Sequence, residues 1–135
     1  MGRKELLELF NKYQKHPDFL EEISDINQKN IDGDNMLHIA TRKKDIHDIK
    51  VLIEYGINID DQGDLGYTAI HYACINGYQD IVELLLFYGA NPNIKDEFGQ
   101  TALDIAFSSN EHNKKKIISI LKKNIKNKKY GDKSY

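Results

Sequence analysis

The stretch Gly66-Tyr67-Thr68-Ala69-Ile70-His71-Tyr72-Ala73, followed by Asn76-Gly77-Tyr78-Gln79-Asp80-Ile81-Val82-Glu83-Leu84-Leu85-Leu86 and by Gly89-Ala90-Asn91-Pro92-Asn93, returns at a fixed offset on either side of itself. Gly33, Gly66 and Gly99 stand 33 residues apart, as do Leu37, Ile70 and Leu103, then Ala40, Ala73 and Ala106, and Gly56 and Gly89. A period of this length is the signature of stacked helical hairpins, each burying its apolar face on its neighbours rather than in one central core.

Each recurring residue has a local reason. Thr68, Thr101 and Asn35 stand where a side-chain oxygen can cap the free amides of a helix start, and Asp104, three residues after Thr101, forms something close to a capping box. Asn76-Gly77 ends that first helix, since glycine tolerates the left-handed conformation of a short interhelical turn. Ile81, Val82, Leu84, Leu85 and Leu86 make a second helix of nearly continuous apolar character, as contact with neighbours on both sides requires. Gly56 and Gly89 close this helix, and Asn91 to Gly99 is dense in turn formers. At Arg42-Lys43-Lys44-Asp45 the turn glycine is missing, so that Lys44 would occupy a conformation costing about 1–2 kcal/mol; either the turn differs locally, or this basic patch is itself part of the contact surface.

These residues together resemble the ankyrin repeat, whose pattern runs G-x-T-P-L-H-x-A-A-x-x-G-H-x-x-I-V-x-x-L-L-x-x-G-A-x-x-N, over roughly residues 25 to 121. The resemblance implies an all-α solenoid of about three helix-turn-helix repeats with projecting hairpin-like fingers, flanked by capping elements. One domain is expected over 1–127, with an N-terminal cap at 1–24, repeats at about 25–57, 58–90 and 91–127, and a disordered basic tail at 128–135. Residues 4–23 read as a degenerate hairpin broken at His16-Pro17, with Leu7 in register 33 residues before Ala40. Ile117, Ile118, Ile120, Leu121 and Ile125 form one apolar stripe on a terminal helix whose other face is lysine, a solubilising cap.

No apolar run is long enough to span a bilayer, no signal-peptide stretch follows Met1, and Leu6 occupies the place where a myristoylation motif wants Ser or Thr. A lone cysteine, Cys74, excludes an intramolecular disulfide and suits a reducing compartment, so the cytoplasm is expected. The net charge of −2 hides an asymmetry: residues 1–113 carry ten basic against twenty acidic side chains, whereas 114–135 carry nine lysines against Asp132. An acidic body steers basic partners toward itself and repels phosphate, which makes nucleic acid an unpromising partner for the folded part. The lysines from Lys122 to Lys129 suit the end of a helix, the favoured reading, with contact to nucleic acid or an anionic membrane as the alternative.

Candidate chemistry weighs toward structure. His38 and His71 recur at the repeat period, and in the family resembled this histidine hydrogen-bonds around the finger and helix start. Equivalent residues of packed helices stand about 10 Å apart, too far to share a metal. Cys74 sits at a small, packed position without a base in register. Gly63-Asp64-Leu65-Gly66 follows no strand and is crowded by acid, so it is no phosphate loop. No enzyme, cofactor, metal or small-molecule substrate is expected.

The resemblance places partner contacts on the fingers, the end of the first helix and the residue before the closing glycine. In the first repeat these are Asp32, Asp34 and Tyr55, with Ile31, Arg42 and Lys43 beside them. In the second they are Asp64, Leu65, Tyr67, Ile75, Asn76 and Tyr88, and in the third Glu97, Phe98 and Gln100, with Ser108 and Ser109 nearby. Leu65, Tyr67, Ile75 and Phe98 are the expected anchors, with Asp32, Asp34, Asp64 and Glu97 as the charged surround. The function expected is a monomer that binds and inhibits a basic protein in a heteromeric complex. The best specific match is an immunity protein against a nuclease-like bacterial toxin, as in similar small ankyrin proteins. A general adaptor, or a tether working through the lysines, is the alternative.

Overall fold

The computed structural model describes residues 3–15 and 17–130 of the chain. Seven helices follow one another: α1 (Arg3–Gln14), α2 (Met36–Arg42), α3 (Ile46–Glu54), α4 (Ala69–Ile75), α5 (Gln79–Phe87), α6 (Ala102–Ser108) and α7 (Lys114–Tyr130), with a single 3₁₀ turn at Asp64–Gly66. The short helices α2, α4 and α6 stack in an inner row, and each turns back into a longer outer helix, α3, α5 or α7. Ile39, Ile70 and Ile105 on the inner row and Ile49, Val82, Leu85, Ile117 and Leu121 on the outer row belong to one continuous buried cluster. No strand occurs among the described residues; each finger is instead pinched by one backbone hydrogen bond, Asn30 N–H to Asp34 O, Gly63 N–H to Tyr67 O, and Asp96 N–H to Gln100 O.

All three inner helices start with the expected side-chain cap, and in each a return bond completes a capping box, expected only for the third: Asn35 with His38, Thr68 with His71, and Thr101 with Asp104. The histidines are thus the return half of a cap. His38 Nδ1 accepts the Asn35 N–H at 3.0 Å, which leaves Nε2 to donate to the Asp61 carbonyl of the next finger at 2.8 Å. Cys74 is buried, and burial pushes its thiol up to about 12, which removes it as a nucleophile near neutral pH.

Three expectations are corrected. Within 4–23 the described residues form a single helix and a loop, not a hairpin: α1 buries Leu9 and Tyr13, while Leu7 is 51% exposed and so does not take the buried place that Ala40 holds. The helix packs on α3, where Lys12 Nζ reaches Asp45 at 2.8 Å and Asp48 at 2.6 Å and the Tyr13 hydroxyl donates to Asp48 at 2.9 Å. The break at His16 falls outside the described residues. At the other end, α7 continues to Tyr130, so residues 128–130 are helical where a tail was expected.

The turn without its glycine does not differ locally from the one that has it. Lys44 has φ 57, in the same region as its counterpart Gly77 at φ 68. A side chain there costs about 1–2 kcal/mol, and only part of that is recovered by the Lys44 ammonium lying 5.2 Å from the Tyr78 ring centroid. Lys44→Gly is expected to raise the urea midpoint, by up to about 1 kcal/mol in stability, whereas Lys44→Ala, which keeps the strain and loses the ring contact, lowers it.

Burial holds His38 below the usual histidine range, more than the neighbouring Asp61 carbonyl and Asp34 carboxylate raise it. The unfolded chain therefore binds a proton near pH 6.5 that the folded chain refuses. The contribution to stability is complete above that pH and declines as pH falls through it. An NMR titration should place the His38 midpoint below 6.5, and a normal midpoint contradicts the neutral capping role.

Candidate functional site

Fingers one and three share a device that finger two lacks. The Asn30 side-chain oxygen accepts the N–H groups of Asp32 and Asp34, both at 3.0 Å, and Asp96 Oδ1 accepts those of Phe98 and Gln100, both at 2.9 Å. The equivalent of Asn30 and Asp96 in finger two is Gly63, which has no oxygen to offer. The gap is filled by Asp34 from the preceding repeat, whose Oδ1 accepts the Asp64 N–H at 3.0 Å. A Cβ on Gly63 would stand 2.2 Å from that oxygen and 2.8 Å from His38 Nδ1. The Tyr67 N–H, lacking a side-chain acceptor, bonds the Asp64 carbonyl at 3.0 Å, and the tighter turn puts Leu65 at φ 55.

Asp34 is accordingly not the exposed rim residue expected, but 0% exposed. Besides Asp64 it accepts the Tyr72 hydroxyl at 3.0 Å and pairs with Arg42 Nη2 at 3.0 Å, while the Arg42 guanidinium covers the Tyr72 ring at 5.0 Å. Burial, then the Asp34 charge, raises the Tyr72 hydroxyl well above its usual range, so it stays a donor.

Beside this network a depression of about 220 Å³ opens, lined by Tyr67, Ile75, Gln100, Ile105, Ser108 and Ser109. Tyr67 packs edge-on against Tyr72 at 5.4 Å between ring centroids, and its hydroxyl is raised by burial and then by the facing carboxylates Asp96 and Asp64. The structure thus brings together Tyr67, Ile75, Gln100 and the two serines, with Asp64 at the edge. Ile105, on the floor, is not among the residues expected there, though its place one turn after the capping box, opposite Ile75, is a signal that could have found it. Asp32, Leu65, Glu97 and Phe98 are exposed at the finger tips, Phe98 to 64%. Asn76 caps α4 with its side chain on the Tyr72 carbonyl at 2.9 Å. Tyr55 and Tyr88 lie apart, at the ends of the outer helices α3 and α5: Tyr55 near Glu5 and Glu54, and Tyr88 edge-on to Phe87 at 5.3 Å. No group of His, Cys, Asp and Glu among the described residues converges to hold a metal ion, and no helix among them is long and apolar enough to cross a membrane.

The sequence profile that describes three copies of the ankyrin repeat matches residues 4–96. The chain belongs to the ankyrin-repeat family. Ankyrin repeats are protein–protein interaction modules, and the match takes in α1 and ends before α6. The chain is 40% identical over 84 residues to an ankyrin repeat protein of Acanthamoeba polyphaga mimivirus, covering 62% of this chain and 11% of that one. It is 35% identical over 118 residues to one of Fowlpox virus, covering 83% and 34%, and 32% identical over 69 residues to human protein phosphatase 1 regulatory subunit 27, covering 51% and 45%. The chain therefore spans less than half the length of each of these relatives.

The finger geometry makes a paired prediction. Asp34→Ala removes three partners from a buried site and should cost about 2–4 kcal/mol, and Gly63→Asn alone should destabilise by collision. Together the two should be less harmful than their sum, because Asn at 63 restores the local acceptor that Asn30 supplies in finger one. A denaturation double-mutant cycle measures this, and strict additivity contradicts it.

Proposed function

We propose that the chain is a non-enzymatic binding module whose acidic finger face takes hold of a basic segment of another protein and occludes it. One observation carries the reading: a depression with an apolar floor at Tyr67, Ile75 and Ile105 lies on the finger side of the stack, with Asp64 and Asp96 close enough to act on the Tyr67 hydroxyl and with Asp64 and Glu97 exposed on the adjoining fingers. Such a site seats one apolar side chain at its centre while lysines or arginines beside it meet the rim, which is the usual division between anchor and surround. Long-range attraction between unlike charges speeds encounter and makes it salt-dependent.

The narrower form of this reading is neutralisation of a nuclease-like toxin, whose cleft is basic because it holds phosphate. It draws its support from the same charge pattern. Regulation of a cellular protein is the other form, and the name of the human relative assigns a regulatory role to that protein.

Affinity capture from the native source, with the retained proteins identified, tests the proposal. A protein of pI above about 9 should be held by the wild-type chain and lost by at least about tenfold in the Tyr67→Ala/Phe98→Ala variant, which circular dichroism should show still folded at the assay temperature although the lost Tyr67–Tyr72 contact lowers its melting temperature. Retention of acidic proteins alone, or equal retention by the folded double variant, refutes it.

A further inference from the structure

The lysines that open α7 gain nothing from its dipole, and of the later ones Lys122 lies over the Phe107 ring, 5.3 Å from its centroid. Lys114, Lys115 and Lys116 occupy its first turn with no acidic side chain there, although the positive end of the helix dipole disfavours cations. Lys115, Lys116, Lys122, Lys123 and Lys126 are exposed and have no ion-pair partner among the described residues, and α7 itself holds no acidic residue. A surface meant only for solubility is served by interspersed charges of both signs. At 100° per residue, Lys115, Lys122 and Lys126 fall along one line of the helix, spanning about 16 Å at 1.5 Å per residue, and Lys116 and Lys123 flank it on the side of α5.

The second observation lies across that flank. Phe87, at the end of α5, is 82% exposed, the most exposed large apolar side chain among the described residues. It shares a shallow depression of about 270 Å³ with Leu86, Ile120, Lys123, Asn124 and Asn127. A projecting aromatic ring therefore stands beside an uncompensated lysine ridge, with Glu83 the acidic residue lining the same depression.

We propose that the lysine face of α7 and Phe87 together dock the protein on an anionic phospholipid surface, the lysines against the headgroups and the ring in the interfacial zone. A nucleic-acid duplex would use the lysines but leave Phe87 in water, which makes it the less complete fit. The acidic fingers belong to the inner-helix side, and charges farther than a Debye length of about 8–10 Å contribute little repulsion. This surface is separate from the partner-binding face, so either assignment can fail alone.

Co-sedimentation of the full chain with vesicles tests the proposal. Binding is expected to vesicles of mixed phosphatidylcholine and phosphatidylserine, weakening as salt rises, and not to phosphatidylcholine alone. Lys122→Gln/Lys123→Gln/Lys126→Gln should reduce it on the order of a hundredfold. Phe87→Ala should reduce it severalfold with an unchanged melting temperature, since the ring is exposed. The Tyr67→Ala/Phe98→Ala variant should bind vesicles normally. The proposal is overturned if mixed vesicles are not bound, if the triple lysine variant binds them as the wild type does, or if an RNA or DNA oligomer binds more tightly than the vesicles and displaces them.

Discussion

A buried carboxylate holds the first two repeats together. Asp34 reaches out of its own finger to accept an amide of the next one and a hydroxyl from α4, and it forms an ion pair with a guanidinium from the end of α2. In a stack without a central core, each unit is stable only through its neighbours, and a polar contact of this kind fixes their relative position in a way that apolar contact alone does not. The carboxylate is tolerated inside because two donors meet Oδ1 and Arg42 lies 3.0 Å from Oδ2; losing one of these leaves a buried polar group without compensation. Its position also dictates that residue 63 have no side chain and that Leu65 take a left-handed turn, so the shape of the middle finger follows from one oxygen atom.

That dependence explains what could be read from the chain and what could not. The period, the three caps and the strained Lys44 depend on residues at fixed local spacing, and their geometry follows from backbone rules that hold wherever the pattern occurs. Asp34 was misread because its exposure is decided by Gly63, twenty-nine residues later, and by Tyr72, neither of which looks unusual in isolation. The first helix was misread for a related reason. Its contacts to Asp45 and Asp48 run at separations of 33 to 36 residues, so what seats α1 is decided by the N-terminal turn of α3 and not by the apolar pattern of 4–23. In the site, Tyr67, Ile75 and Gln100 were legible because they occupy outward positions of the repeat, whereas Tyr55 and Tyr88 satisfy the same rule of position yet end on the outer helices.

The connection between α6 and α7, 109–113, has five residues where that between α4 and α5, 76–78, has three, and its course shows how the extra length is absorbed. It folds over the turn between α4 and α5, where Asn113 donates its side-chain amide to the Gly77 carbonyl at 2.7 Å. A Cβ on Gly77 would stand 2.7 Å from Glu111 Cγ, so this turn glycine serves two purposes, a left-handed backbone and a seat for the following loop. At Lys44 the next repeat offers the Tyr78 ring, 5.2 Å from the ammonium, where a loop lies over Gly77, and a side chain survives there at the cost of strain.

Charge is sorted along the same axis. The fingers and α3 to α6 carry most of the acid, and α7 carries lysine without counter-ions, so the net charge of −2 is a poor description of the surface any partner meets. Within a Debye length the two regions behave as separate electrostatic objects, one attracting cations and the other anions. A solenoid is suited to this arrangement because its end and its flank are formed by different repeats, each contacting only its neighbours. Acid on the fingers can therefore be concentrated without weakening α7, and the lysine ridge can be built without disturbing the depression at Tyr67.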